Sequence, residues 1–211
     1  ALSNALKSNS TLEELELSEG RIGAAGAQSL GNMLQFNRAL TSVNLLWNDI
    51  GTEDATAILR ACENNNILQT VLGLAGQTEA DFSSKRWREP EAILMSAELK
   101  FNRALKSANL SSNKLGTDGI RALCDALKTN NSLESLTIQN PYSSDTKIDS
   151  TGAQLIADML AVNRALTSVN LLRNDLGDDA ATVVAAAKQN GNIKTLCGIA
   201  EGKTCLLYTS P

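Results

Sequence analysis

The chain of 211 residues has no histidine. That absence excludes a Ser-His-Asp or Cys-His catalytic arrangement within it and removes histidine as a zinc ligand. Aromatic residues make up only 3%, so any core must be aliphatic. Cysteine is sparse: Cys62, Cys124, Cys197 and Cys205 are too far apart for a CxxC metal or redox pattern, and they read as reduced, buried, small apolar residues. No apolar run reaches membrane-spanning length, and the first residues show no basic-then-apolar signal segment. A cytoplasmic protein without membrane association is the expectation. The net charge of −4 and the pI near 5.0 argue against nucleic acid as a partner. There is no P-loop, dinucleotide fingerprint or nucleophile elbow. No enzyme activity, cofactor or metal is therefore expected.

The sequence does contain a repeat. "NRALTSVNLL" occurs at 37–46 and again at 163–172, with a third copy, "NRALKSANL", at 102–110. Equivalents of the opening Asn fall at Asn9, Asn37, Asn65, Asn102, Asn130, Asn163 and then Gly191, in steps of 28, 28, 37, 28, 33 and 28 residues. A unit of 28 residues with insertions of 9 and 5 accounts for every step. Periods in this range signal a solenoid. The apolar period changes within each unit. Leu40/Val43/Leu45, Leu105/Ala108/Leu110, Leu133/Leu136/Ile138, Leu166/Val169/Leu171 and, at the start, Leu12/Leu15/Leu17 predict a short strand with one buried face. A turn with Asn and Gly follows, as in "WNDIG" and "SNKLG". Ala27/Leu30/Leu34, Ala55/Ile58/Cys62, Ile120/Leu123/Leu127 and Ala153/Ile156/Leu160 then recur at helical spacing. Thr52, Thr117 and Asp178 suit the N-cap position.

This pattern resembles the leucine-rich repeat family, in the long ribonuclease-inhibitor-like form that also occurs in nucleotide-sensing receptors and Ran GTPase-activating proteins. The resemblance covers residues 1 to about 200. It implies an α/β fold, a right-handed horseshoe solenoid with a parallel sheet on the concave face and helices on the convex face. About seven repeats would form one domain over 1–204, with insertions near 74–82 and 140–146 and truncation at both ends. The ten-residue identity fits duplication of a four-repeat block. Residues 205–211, "CLLYTSP", leave the repeat abruptly and read as a non-native tail. In the first insertion, Phe82 at the last strand position makes the extra residues a strand-length pass without its own helix, or a hairpin.

Residues alternating with the buried strand positions face the concave surface: Glu14/Glu16, Ser42/Asn44, Thr70/Leu72, Ser107/Asn109, Ser135/Thr137 and Ser168/Asn170. Just beyond lie Leu46/Trp47 and Leu172/Arg173. From these we take Asn44, Leu46, Trp47, Asn109, Asn170, Leu172 and Arg173 as the candidate partner-binding set, because Trp and Arg dominate binding hot spots. The competing reading makes Trp47 a strand-edge packing residue and Arg173 a solvated cation. Asn48, Asn113 and Asn174 take the motif's structural Asn position, where the family uses the side chain to satisfy turn backbone. Arg38, Arg103 and Arg164 sit where a cation suits a helix C-terminus. "KRWR" at 85–88 is the most nucleic-acid-like stretch and reads as a solvated loop. The functional expectation is a monomeric scaffold for a protein partner. The alternatives are a small-GTPase regulator and the recognition arm of a nucleotide-binding sensor. A tight ribonuclease inhibitor is disfavoured, since those are richer in cysteine and acidic residues.

Overall fold

Three residues of alternation are enough for one strand here, because each strand leans on the next. The computed structural model describes residues 2–141, 147–197 and 199–200. In them, β1 (Glu14–Glu16), β2 (Ser42–Asn44), β3 (Glu79–Asp81), β4 (Ser107–Asn109), β5 (Ser135–Thr137), β6 (Ser168–Asn170) and β7 (Thr195–Leu196) alternate with seven helices, and β8 (Ile199–Ala200) ends the order. The helices are α1 (Leu2–Lys7), α2 (Gly23–Leu34), α3 (Thr52–Glu63), α4 (Glu89–Phe101), α5 (Gly116–Thr129), α6 (Ser150–Val162) and α7 (Ala180–Asn190). Strands β3 to β7 form parallel ladders in which Ser107 meets Ser135, Ser135 meets Ser168 and Ser168 meets Thr195; β8 returns antiparallel to β7. The centre residue of β2 through β6 is buried while its neighbours are not, so each strand sends one side chain inward and two to the sheet face. The result is an α/β solenoid.

The helix faces named from the sequence are all buried. The first unit differs. Leu12 is exposed and Leu15 and Leu17 are half-buried, because among the described residues no unit stacks on their outer side and one unit cannot bury its own face. The helix starts differ too. Thr52 and Thr117 lie within the first turns of α3 and α5, and Asp178 lies in a 3₁₀ turn before α7, with no side-chain cap bond at any of these starts. Gly116 and Gly177, at φ +67° and +55°, bend the chain into those helices instead, a conformation glycine adopts without steric cost. Asp149 does cap α6, accepting from the Gly152 N–H at 2.9 Å.

Buried asparagines tie each unit to the one before. The Asn37 Nδ2 donates to Leu6 O and Asn9 O while its Oδ1 accepts from the Ala39 and Leu40 N–H groups. Asn65 and Asn163 repeat this pattern. In the last unit the role falls to Asn190, 27 residues after Asn163, and not to Gly191; the glycine ends α7 at φ +71°. A second row, Asn48, Asn113 and Asn174, closes the turn after each strand: Asn113 donates to Phe82 O and Leu110 O and accepts from the Trp87 N–H. These amides satisfy backbone groups that the turns would otherwise orphan. Asn37→Ala should therefore cost about 1–3 kcal/mol in a urea unfolding titration. A loss below half a kcal/mol would show that water replaces the amide.

The solenoid is interrupted once. Residues 70–72 touch β2 only through isolated bridges, Ser42 to Thr70 and Asn44 to Leu72, and no ladder joins them to β3. The chain then makes a strand-length pass, β3, before α4 begins. Thr70 and Leu72, expected on the concave surface, are instead buried. After Val71 the backbone turns inward, and three donors on its far edge converge on one carboxylate oxygen. Glu98 Oε2 accepts from Thr70 Oγ1 at 2.8 Å, the Val71 N–H at 2.8 Å and the Leu72 N–H at 3.1 Å, while Oε1 accepts from Asn102 Nδ2 at 2.7 Å. In a continuing sheet the next strand's carbonyls would take those N–H groups, as Thr70 O takes the Val43 N–H. Here one buried side chain does it.

Candidate protein-binding face

The sheet face is built on one repeated turn. At the last position of each of five strands a side-chain oxygen accepts the N–H two residues on: Glu16 from Ser18, Asn44 from Leu46, Asp81 from Ser83, Asn109 from Ser111 and Asn170 from Leu172, at 2.8–3.1 Å. This is the local side-chain turn that Asx residues favour. The residue one further along is left-handed in every case: Glu19, Trp47, Ser84, Ser112 and Arg173 have φ between +57° and +62°. Such a conformation costs a non-glycine residue about 1–2 kcal/mol, and the clamp before it helps to hold it.

The geometry revises the role of several candidates. Asn44, Asn109 and Asn170 are half-buried, and their acceptor oxygens are committed to the fold. Leu46 and Leu172 are half-buried and pack against the core rather than standing free. Trp47 is 43% exposed and Arg173 is exposed; both take the left-handed position of the turn. Trp47 follows β2 and Arg173 follows β6, strands of two different sheets, so the structure does not bring them together at one spot.

Acidic residues on this face escaped the sequence reading. Glu79 and Asp81 on β3 are exposed and sit in register with Ser107 and Asn109. The signal was available: "EADF" aligns with "SANL" once Phe82 takes the last strand position. The Ser83 hydroxyl and N–H hold the Asp81 carboxyl below the usual carboxylate range, with Lys85 adding to the effect. Ser18, and to a smaller degree Asn44, do the same for Glu16. With Glu14, these give the face four carboxylates.

The remaining candidates are structural. Arg38 donates to Gln35 O and Asn37 O at the end of α2, and Arg103 to Asn131 Oδ1. In "KRWR", Lys85, Arg86 and Arg88 are exposed, but Trp87 is buried and stacked on Phe82 at 4.2 Å between centroids. The aromatic ring that made this stretch resemble a nucleic-acid site is inside the core. Cys62, Cys124 and Cys197 are buried; burial pushes the Cys62 and Cys124 thiols up to about 12, which removes those two from thiolate chemistry. Cys205, most of the 140–146 insertion and the 205–211 tail lie outside the described residues. Among the described residues no helix is long and apolar enough to cross a membrane, and no group of His, Cys, Asp and Glu could hold a metal ion.

Tandem strand-turn-helix units joined by buried asparagines define a repeat protein of the leucine-rich class, and comparison with known proteins agrees. The Leucine Rich repeat family model matches residues 8–31, 36–59 and 101–124. The chain is 32% identical over 169 residues to the ribonuclease inhibitor of Sus scrofa, covering 80% of this chain and 34% of that protein. It is 28% identical over 196 residues to the NACHT, LRR and PYD domains-containing protein 13 of Homo sapiens, covering 93% of this chain and 16% of the relative. The ribonuclease inhibitor of Mus musculus is 25% identical over 197 residues, covering 83% and 42%. The chain belongs to the leucine-rich repeat family, in its ribonuclease-inhibitor-like form. It spans less than half the length of each of these relatives.

Proposed function

We propose that the chain is a protein-interaction scaffold that takes a protein partner on its sheet face, with Trp47 and Arg173 as anchors and Asn44, Leu46, Asn109, Asn170 and Leu172 as the surrounding contacts. Leucine-rich repeat proteins generally mediate protein–protein interaction. The observation that carries the reading is the exposed indole of Trp47. A large apolar ring at 43% exposure, next to a turn clamped by Asn44, is the kind of group whose burial dominates binding energy. The amides of Asn44 and Asn170 spend one N–H on Glu16 and Gln139, which leaves the second N–H of each for a partner's carbonyl.

The test is the double variant Trp47→Ala with Arg173→Ala. It should weaken partner binding at least about tenfold, since hot-spot truncations cost 2 kcal/mol or more. Stability should stay within about 0.5 kcal/mol, as for other surface substitutions. Unchanged partner affinity would sink the assignment, and a collapse in stability would mean that these side chains belong to the core. The relatives named for NACHT, LRR and PYD domains favour a second reading, in which these repeats are the recognition arm of a nucleotide-binding sensor. A nucleotide-binding domain in the same transcript is the observation that separates it from a free-standing scaffold.

A further inference from the structure

At most junctions in this solenoid, neighbouring units are joined by a strand ladder, by helix packing and by an Asn side chain reaching back to the preceding Asn carbonyl. Between residues 72 and 79 the ladder is missing. Asn102 also lacks the usual reach: its Nδ2 donates to Leu74 O and Glu98 Oε1, whereas Asn65 and Asn163 donate to the carbonyls of Asn37 and Asn130, and at Asn130 the Ser132 hydroxyl reaches Asn102 O in its place. The connecting segment is exposed from Ala75 to Glu79, and Gly73 and Gly76 are left-handed at φ +69° and +72°. What crosses the junction is the packing of α3 on α4, a rim ion pair between Glu63 and Lys100, and the three hydrogen bonds that Glu98 accepts from Thr70, Val71 and Leu72.

We infer that this junction is a latch: it opens locally while both arms of the solenoid stay folded, and the Glu98 carboxylate is the group that holds it shut. The arms are residues 2–72, ending in the last bridges to β2, and 79–200, which carry the continuous sheet. Both keep their own ladders and asparagine rows when the latch is open, so opening exposes the edge of residues 70–72, the Glu98 pocket and the facing sides of α3 and α4. Low-stability units of this kind open independently of global unfolding. The latch does not depend on what the sheet face binds, but its opening changes how Trp47 on one arm is set relative to Asn109 and Arg173 on the other.

Amide hydrogen exchange on the full chain tests this. In Glu98→Ala, peptides covering 69–78 should speed up at least about tenfold more than the rest of the chain, because the Val71 N–H loses its acceptor and the Leu72 N–H keeps only a 3.3 Å contact to Thr70 Oγ1. Peptides covering β2 and β4 to β6 should accelerate by a clearly smaller factor, the one set by the fall in global stability alone. Acceleration by one common factor everywhere would show that Glu98 serves only global stability, and no acceleration at 69–78 would show that it holds nothing; either overturns the latch. If the alanine variant does not fold, Glu98→Gln gives the same reading. Its carbonyl oxygen can keep the Thr70, Val71 and Leu72 donors, but without charge assistance and with its amide facing Asn102 Nδ2, donor against donor. A smaller rise confined to 69–78 supports the latch; a shared rise or none overturns it.

Discussion

Glu98→Ala is expected to lower the free energy of unfolding by about 3–5 kcal/mol, since it takes the carboxylate acceptor from three buried donors at roughly 1–3 kcal/mol each. The three are the Thr70 hydroxyl and the N–H groups of Val71 and Leu72, of which the Leu72 N–H keeps a weaker 3.3 Å contact to Thr70 Oγ1. All of these residues are buried, so water cannot replace the carboxylate without opening the junction. Urea unfolding followed by circular dichroism measures the loss, and a drop under 1 kcal/mol would mean that the edge finds other acceptors. Titration adds a sign. Burial raises the Glu98 carboxyl above its ordinary value of 4.5, against the pull of Asn102, Val71, Thr70 and Leu72, which all favour the anion. Cys62 on α3 brings no competing charge, because burial, and secondly Glu98 itself, keep its thiol neutral up to about 12. The folded chain thus holds the Glu98 proton more tightly than the unfolded chain. Stability from this source is fully present below pH 4.5 and is lost as pH rises through the folded value. The stability advantage of the unaltered protein over Glu98→Gln should therefore shrink with rising pH across that window. An advantage that grows instead would reverse the assignment.

This carboxylate was legible in part. Four residues before each ladder asparagine the other helices carry Met33, Ala61, Ala126 and Met159, all buried, and α4 alone carries a charged residue there, Glu98. The repeat marks the departure. It does not say where the donors come from, because they lie 26–28 residues upstream on a strand that fails to continue. The alternation in "TLEELEL" and "TSVNLL" was readable for the opposite reason: it is local, and the inward strand position recurs from unit to unit, buried from β2 to β6 and half-buried in β1. Thr70 and Leu72 were misplaced because alternation assumes that the strand runs on to a neighbour, and here the chain turns into the core. The candidate face was readable as positions but not as roles. Asn44, Asn109 and Asn170 alternate with core residues, which put them on the surface; their duty as turn clamps appears only with the left-handed residue three positions later.

Trp87→Ala should cost about 3–5 kcal/mol, the range for removing a large aromatic side chain from a packed core. Trp87 is 1% exposed, the largest of the fully buried side chains, and it stacks on Phe82 with ring centroids 4.2 Å apart. Its backbone is equally committed, with its N–H donated to Asn113 Oδ1 and its carbonyl accepting the Lys114 N–H. The basic neighbours in "KRWR" suggest a solvent loop, but register decides otherwise. Trp87 stands five residues after the last strand position Phe82, as Ile50 stands after Leu45, Leu115 after Leu110 and Leu176 after Leu171, and those three are buried. The indole N–H has no acceptor among the described residues. Trp87→Phe, which keeps a ring on Phe82 and removes that donor, should therefore cost less than about 2 kcal/mol. Fluorescence distinguishes the two tryptophans directly. With Trp47→Phe, emission from the buried Trp87 should be blue-shifted in the native state and move red on unfolding. With Trp87→Ala, emission from Trp47 should already be red in the folded protein. Red native emission from Trp47→Phe would place the Trp87 ring in solvent and return "KRWR" to the surface.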